Sequence, residues 1–324
     1  MVSTNTVTLL QNVDSSLVNV YVGLLLIIVL LSLVLNILVL TTLYTQHSNR
    51  RNSMDFFIAN MAVSDILSSF SATFTINNAK LHWNSNSVIC KIAYYLLFVS
   101  YAVTMLTLCT TALDRFYGIC LPIKHRQVYL FKKRTISICL IWILSCLLFS
   151  PYVYAYKVQD FRVHQLSGEV ITLQICNQTW DPNIEQIYFT LVVFFLLYLS
   201  PLALFGYVFV KVLRKLQEPR STSSGGNAIL HKKRMRMTVL LLILICLQYM
   251  CWTPSIVGNV FHIFGLTSHS YLNAWLVFEL LHFLRSVVYP LIYITMYDNF
   301  SASLKALFLN ASTVTKKISL QSSV

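Results

Sequence analysis

Asp114, Arg115 and Phe116 close an apolar stretch, residues 92–113, that carries no other charge. An acid beside an arginine at the edge of a membrane span can hold the guanidinium folded back on its own helix until a partner displaces it. Asp65 is another ionisable group in apolar surroundings, and it cannot stay charged there without a partner. This is the chemistry of latching and recognition, not of bond breaking. The chain has no His-Glu-x-x-His, no phosphate-cradling loop and no Gly-x-Ser-x-Gly. His82, His262, His269 and His282 lack metal-ligand spacing. Neither an enzyme nor a bound cofactor or metal is expected.

The elements that position these residues are membrane spans. Of the residues, 56% are hydrophobic and 11% charged, with a mean hydropathy of +0.67. Soluble domains average about 25% charged residues. So few charges could not cover the surface of a soluble protein of this length. Seven segments reach the ~20 apolar residues a span requires, near 20–44, 54–77, 88–120, 134–156, 184–214, 235–264 and 271–296. The fold class is an all-α membrane protein, a seven-helix bundle over 20–296. Residues 1–19 form a short N-terminal segment without lysine or arginine, so span one is expected to act as its own insertion signal. Such a segment leaves no room for a folded ectodomain.

Basic residues orient the bundle, because short loops rich in them stay in the cytosol. Arg50 and Arg51, Lys124 to Arg134, the loop from Lys211 to Arg236, and Lys305, Lys316 and Lys317 mark one side. The other side has only Lys80, Lys91, Lys157 and Arg162. The N-terminus is expected outside a plasma membrane. The net charge of +13 mostly reflects this asymmetry and requires no nucleic acid. Segment 217–230 is Ser/Gly-rich and reads as a flexible linker.

Six of the eight cysteines fall within or at the ends of spans. Only Cys90 and Cys176 lie on the outer, oxidising side. A bridge between them would pin the loop before span five over the mouth of the bundle; two free thiols are the alternative. Asn177-Gln178-Thr179 on that loop is a glycosylation sequon, whereas those at Asn299 and Asn310 face the cytosol and should be inert. Val158 to His164 and Val170 to Ile175 are β-rich runs around Leu166-Ser167-Gly168-Glu169, which reads as a hairpin or, failing that, a plain loop.

Seven spans, the outer cysteine pair and Asp114-Arg115-Phe116 together resemble the rhodopsin-like (class A) G-protein-coupled receptors, over residues 20 to 309. Matches follow in order: Asn36, Asn60 to Asp65, Trp83, Trp142, Pro201, Cys251-Trp252-Thr253-Pro254 and Pro290-Leu291-Ile292-Tyr293. Phe300, Leu304, Leu307 and Phe308 share a face of an amphipathic stretch, 297–309, that would lie on the membrane. Residues 310–324 remain a disordered tail.

The resemblance implies roles. Arg115 would receive a G-protein tail once span six moves outward, with Tyr293 at the same end. Pro122-Ile123 would dock into a G-protein groove or else pack within its loop. Trp252 above the bend at Pro254 would transmit ligand contact, and Pro201 and Pro290 would supply similar bends. The family usually pairs its span-two acid with a sodium ion, held also by an asparagine before the span-seven proline. Here that position is Tyr289, and Arg285 stands four residues earlier. An Asp65–Arg285 ion pair replacing sodium is the expectation; water or another acceptor is the alternative for Arg285. Gln248 replaces a phenylalanine and Phe209 a tyrosine of the family pattern. Lys233 and Arg234 stand where some members carry an acid that holds the arginine. A weakly latched receptor with measurable basal activity is therefore expected.

The resemblance also narrows the ligand. Leu97 stands where amine receptors carry an aspartate, and Phe283 where light receptors carry a lysine. The mouth offers Tyr94, Phe98 and Tyr101 from span three, and Asn259 and His262 from span six. Span seven adds Trp275, Glu279 and His282. Aromatics with a few polar groups suit a peptide, and Glu279 would take a basic group; about half of these side chains would serve ordinary packing. The expected function is a neuropeptide-like receptor that activates a heterotrimeric G protein. A decoy receptor that binds without activating is one alternative. A transporter or channel is another, but no internal repeat supports it. Tail serines and threonines from Ser312 onward could accept phosphate for arrestin, and Ser322-Ser323-Val324 fits a PDZ ligand; a plain polar tail would explain both.

Overall fold

A computed structural model describes residues 15–45, 53–80, 86–121, 131–164, 170–180, 183–217, 225–263 and 271–307, Asn299 excepted. Among them are seven helices long and apolar enough to cross a membrane. Span one is Ser15–Thr45, span two Ser53–Ala79 and span three Ser87–Cys120. Span four is Phe131–Phe149 with a short continuation, Pro151–Ala155. Span five joins Asn183–Phe194 to Ser200–Gln217 through one π-helical turn, Phe195–Leu199. Span six is Gly225–Ile263 and span seven Tyr271–Met296. Span one begins five residues before the expected position. Span six reaches back into the segment read as a flexible linker, so Gly225 to Leu230 is helical. Extending an existing helix adds one hydrogen bond per residue without a new nucleation cost.

The bundle is apolar outside and keeps its polar spanning residues within, as hydrocarbon surroundings demand. Ile27, Leu30 and Val34 are 55%, 62% and 64% exposed, whereas Asn36, Ser64, Asp65, Thr104 and Arg285 are buried. The chain is a multi-pass membrane protein.

Three prolines show how the helices tolerate interruption. Each removes the N–H that would bond the carbonyl four residues earlier, and inside a bilayer that carbonyl must find another donor. For Pro290 the carbonyl is Ser286, which accepts from Asn36 Nδ2 of span one at 2.9 Å. For Pro201 it is Leu197, which accepts from the Tyr101 hydroxyl of span three at 3.2 Å. For Pro151 it is Leu147, which accepts from the Ser150 hydroxyl at 2.9 Å. The first two substitutions cross between spans, so they fix the bends and join helices at once.

Strands β1, Tyr156–His164, and β2, Val170–Gln178, form an antiparallel hairpin in register from Tyr156↔Gln178 to His164↔Val170. Both run longer than their β-rich cores. The Cys90–Cys176 disulfide ties β2 to span three. At the far end of the bundle, residues 300–307 are helical, with Phe300 buried and Leu304 packed on the core.

Candidate functional site

The hairpin end of the bundle is built largely from rings. Tyr94 stacks on Tyr156 of β1 at 4.4 Å, and Phe98 meets Tyr152 edge-on at 4.5 Å. Phe149, Phe189 and Trp180 extend this cluster across spans four and five and the end of the hairpin. It fills the side of the mouth between spans three, four and five. Asn78 of span two secures the lid: its Oδ1 accepts from the Cys176 N–H at 2.8 Å. Its Nδ2 lies 3.1 Å from the Cys176 carbonyl and 2.8 Å from the Tyr94 hydroxyl.

The opposite side of the mouth carries the acid. Glu279 of span seven is half-buried and faces the hydroxyls of Tyr21 and Thr75. Trp275 and Asn259 are half-buried near the same end. Leu97 packs in an apolar cluster with Tyr21, Leu276 and Phe283, so it is a core residue in this arrangement and does not line an open pocket. His262 ends span six, but its side chain lies outside the described residues.

Below the mouth, Tyr101 stacks on Trp252 with ring centres 3.4 Å apart, and the edge of His282 meets Trp252 at 4.3 Å. Trp252 thus touches spans three and seven two residues before the Pro254 bend. Deeper still, Arg285 Nη2 lies 2.9 Å from Asp65 Oδ1, with both side chains 1% exposed. This is the expected ion pair. Its angle is not that of a hydrogen bond, and Arg285 Nε and Nη1 have no hydrogen-bond partner among the described residues. The Tyr289 hydroxyl points away from Asp65, 3.0 Å from the Leu244 carbonyl and 3.0 Å from Gln248 Oε1 of span six. The acid thus holds a guanidinium, and the neighbouring position offers a phenol turned toward another helix.

At the far end Asp114 is fully buried and bonded to Arg115, which is 21% exposed. Phe116 lies 6.0 Å from the Tyr207 ring of span five. Tyr293 is buried, with its hydroxyl 3.9 Å from Met61 Sδ. Tyr297 donates to the buried Asp55 at 2.6 Å, and the next residue, Asp298, is paired with Arg236 of span six. Neither tie was visible in the sequence. Pro122 and Ile123 lie outside the described residues, as do Trp83 and the tail. A cavity of about 480 Å³ near the far ends of spans one and two, beside Leu40 and Phe56, also touches Asp55.

Known proteins match this sequence. The chain is 24% identical over 285 residues to a QRFP-like peptide receptor of Branchiostoma floridae, covering 85% of this chain and 73% of that one. It is 26% identical over 258 residues to human galanin receptor type 2, covering 77% and 62%. It is 27% identical over 290 residues to prokineticin receptor 2 of Bos taurus, covering 86% and 74%. Residues 35–293, from the last turns of span one to Tyr293, match the family described as 7 transmembrane receptor (rhodopsin family). The chain therefore belongs to the rhodopsin family of seven-transmembrane receptors.

Proposed function

We propose that this chain is a plasma-membrane receptor that binds a peptide at the hairpin end, outside the cell, and activates a heterotrimeric G protein at the cytosolic end. The observation that carries the reading is the Asp114–Arg115 pair, a buried acid holding a partly exposed guanidinium at the end opposite the hairpin. The names of the similar proteins support a peptide ligand. The concentration of lysine and arginine at the Arg115 end supports the orientation.

The geometry suggests a path. A ligand that enters beside Glu279 reaches the Tyr101–Trp252–His282 stack. Displacing Trp252 changes the bend at Pro254 and moves the inner half of span six. Arg115 then exchanges Asp114 for the G protein. Ligand binding shifts the population toward this open state in proportion to its preference for it.

The test is a peptide library screened on transfected cells with a broad G-protein readout, repeated with Arg115→Ala. Peptide-evoked activation that Arg115→Ala abolishes at equal surface expression and equal peptide binding is the expected result. Peptide binding without activation in the unaltered receptor would make it a decoy.

A further inference from the structure

Three positions that depart from the family pattern, Gln248, Arg285 and Tyr289, belong to one connected unit. Arg285 pairs with Asp65 and lies 5.3 Å above the Tyr289 ring, within range of a cation–π contact. Tyr289 then reaches Gln248 and the Leu244 carbonyl, both on span six. A hydroxyl has one proton and cannot serve two acceptors. Turning the Gln248 amide over resolves the conflict. Its otherwise unbonded Nε2 then donates to the Tyr289 oxygen, while Tyr289 donates to Leu244. All four side chains are at most 1% exposed, so no bulk water competes for these bonds.

We propose that Arg285 is a built-in cation of the bundle core, standing in for a metal ion on Asp65, and that Tyr289 and Gln248 carry its hold across to span six. A diffusible cation can leave when the bundle rearranges, but a guanidinium on span seven cannot. Spans two, six and seven are thereby strapped together at one depth, and span six cannot swing away without breaking the Tyr289 contacts. The unit depends on no ligand and on no coupling partner.

Thermal melting of the purified full chain in detergent tests both halves without a signalling readout. Replacing sodium by choline at constant ionic strength is expected to leave the melting temperature unchanged. A sodium-specific rise would overturn the built-in cation. Tyr289→Phe and Gln248→Leu are each expected to lower the melting temperature by roughly 2–4 °C. The double variant is expected to fall no further than the weaker single, because both remove one unit. Additive losses, or no loss from either, would overturn the strap.

Discussion

The Arg236 guanidinium, at the Arg115 end of span six, binds the Asp298 carboxylate just past span seven and also donates to the Thr295 carbonyl at 3.2 Å. On the other side of Asp298, Tyr297 is bonded to Asp55 of span two. The elbow after span seven therefore joins spans two and six at the Arg115 end of the bundle. Span six has no acid facing Arg115, yet it has a latch of the opposite polarity.

That latch sets an expectation for ligand-free signalling. The two side chains are 43% and 63% exposed, and exposed pairs contribute about 0.2–1 kcal/mol. Arg236→Ala or Asp298→Ala should raise basal G-protein activation about 1.5- to 5-fold. The charge-swapped pair, Arg236→Asp with Asp298→Arg, should return it toward the starting level.

The buried pair should behave differently. Removing one partner leaves the other charge unpaired in the bundle core, at a cost of about 3–5 kcal/mol. Asp65→Leu or Arg285→Met alone should sharply reduce surface expression and melting temperature. Both together should recover most of the loss, since replacing an entire buried pair by apolar groups is often close to neutral. Flow cytometry of tagged receptors and thermal melting would check this.

The seven spans were legible because each is a long apolar run, and the hairpin because its β-rich runs flank a Gly-containing turn. The Asp65–Arg285 pair was legible for the same physical reason: charges at one depth in hydrocarbon need each other. Gln248 and Tyr289 were visible as departures but not as partners, since nothing in a sequence tells which way a phenol on span seven points. Arg236 was one of many basic residues on its loop, and Asp298 lies 62 positions away. The ring cluster of Phe149, Tyr152, Trp180 and Phe189 was hidden among 18 tyrosines and 20 phenylalanines. Gly225 to Leu230 misled because composition marks them as a linker, while continuity with span six makes them helical.

Glu279 makes a claim about ligand chemistry. The ring cluster fills one side of the mouth and leaves the acid on the other. Glu279→Gln should lower the potency of an activating basic peptide about ten-fold or more, the range for a lost charge-assisted bond. Acetylating the amine of that peptide should produce a similar loss in the unaltered receptor and little further loss in Glu279→Gln. Concentration–response curves for the four combinations would check it.

Asn177 is exposed on β2. The receptor from mammalian cells should shift on a gel after glycosidase treatment. Asn177→Gln should remove that shift completely, leaving nothing attributable to Asn299 or Asn310.

Asn78 grips both backbone groups of Cys176, and the disulfide ties the same residue to span three. The hairpin is thus riveted to spans two and three, which in the proposed mechanism are the stator while span six is the rotor. Force that a ligand applied to the lid would then be absorbed by the frame. In that mechanism the part of a ligand that reaches past the lid to Trp252 would do mechanical work on the moving helix, so that tight attachment and efficacy would be separable properties that different ends of one ligand can carry.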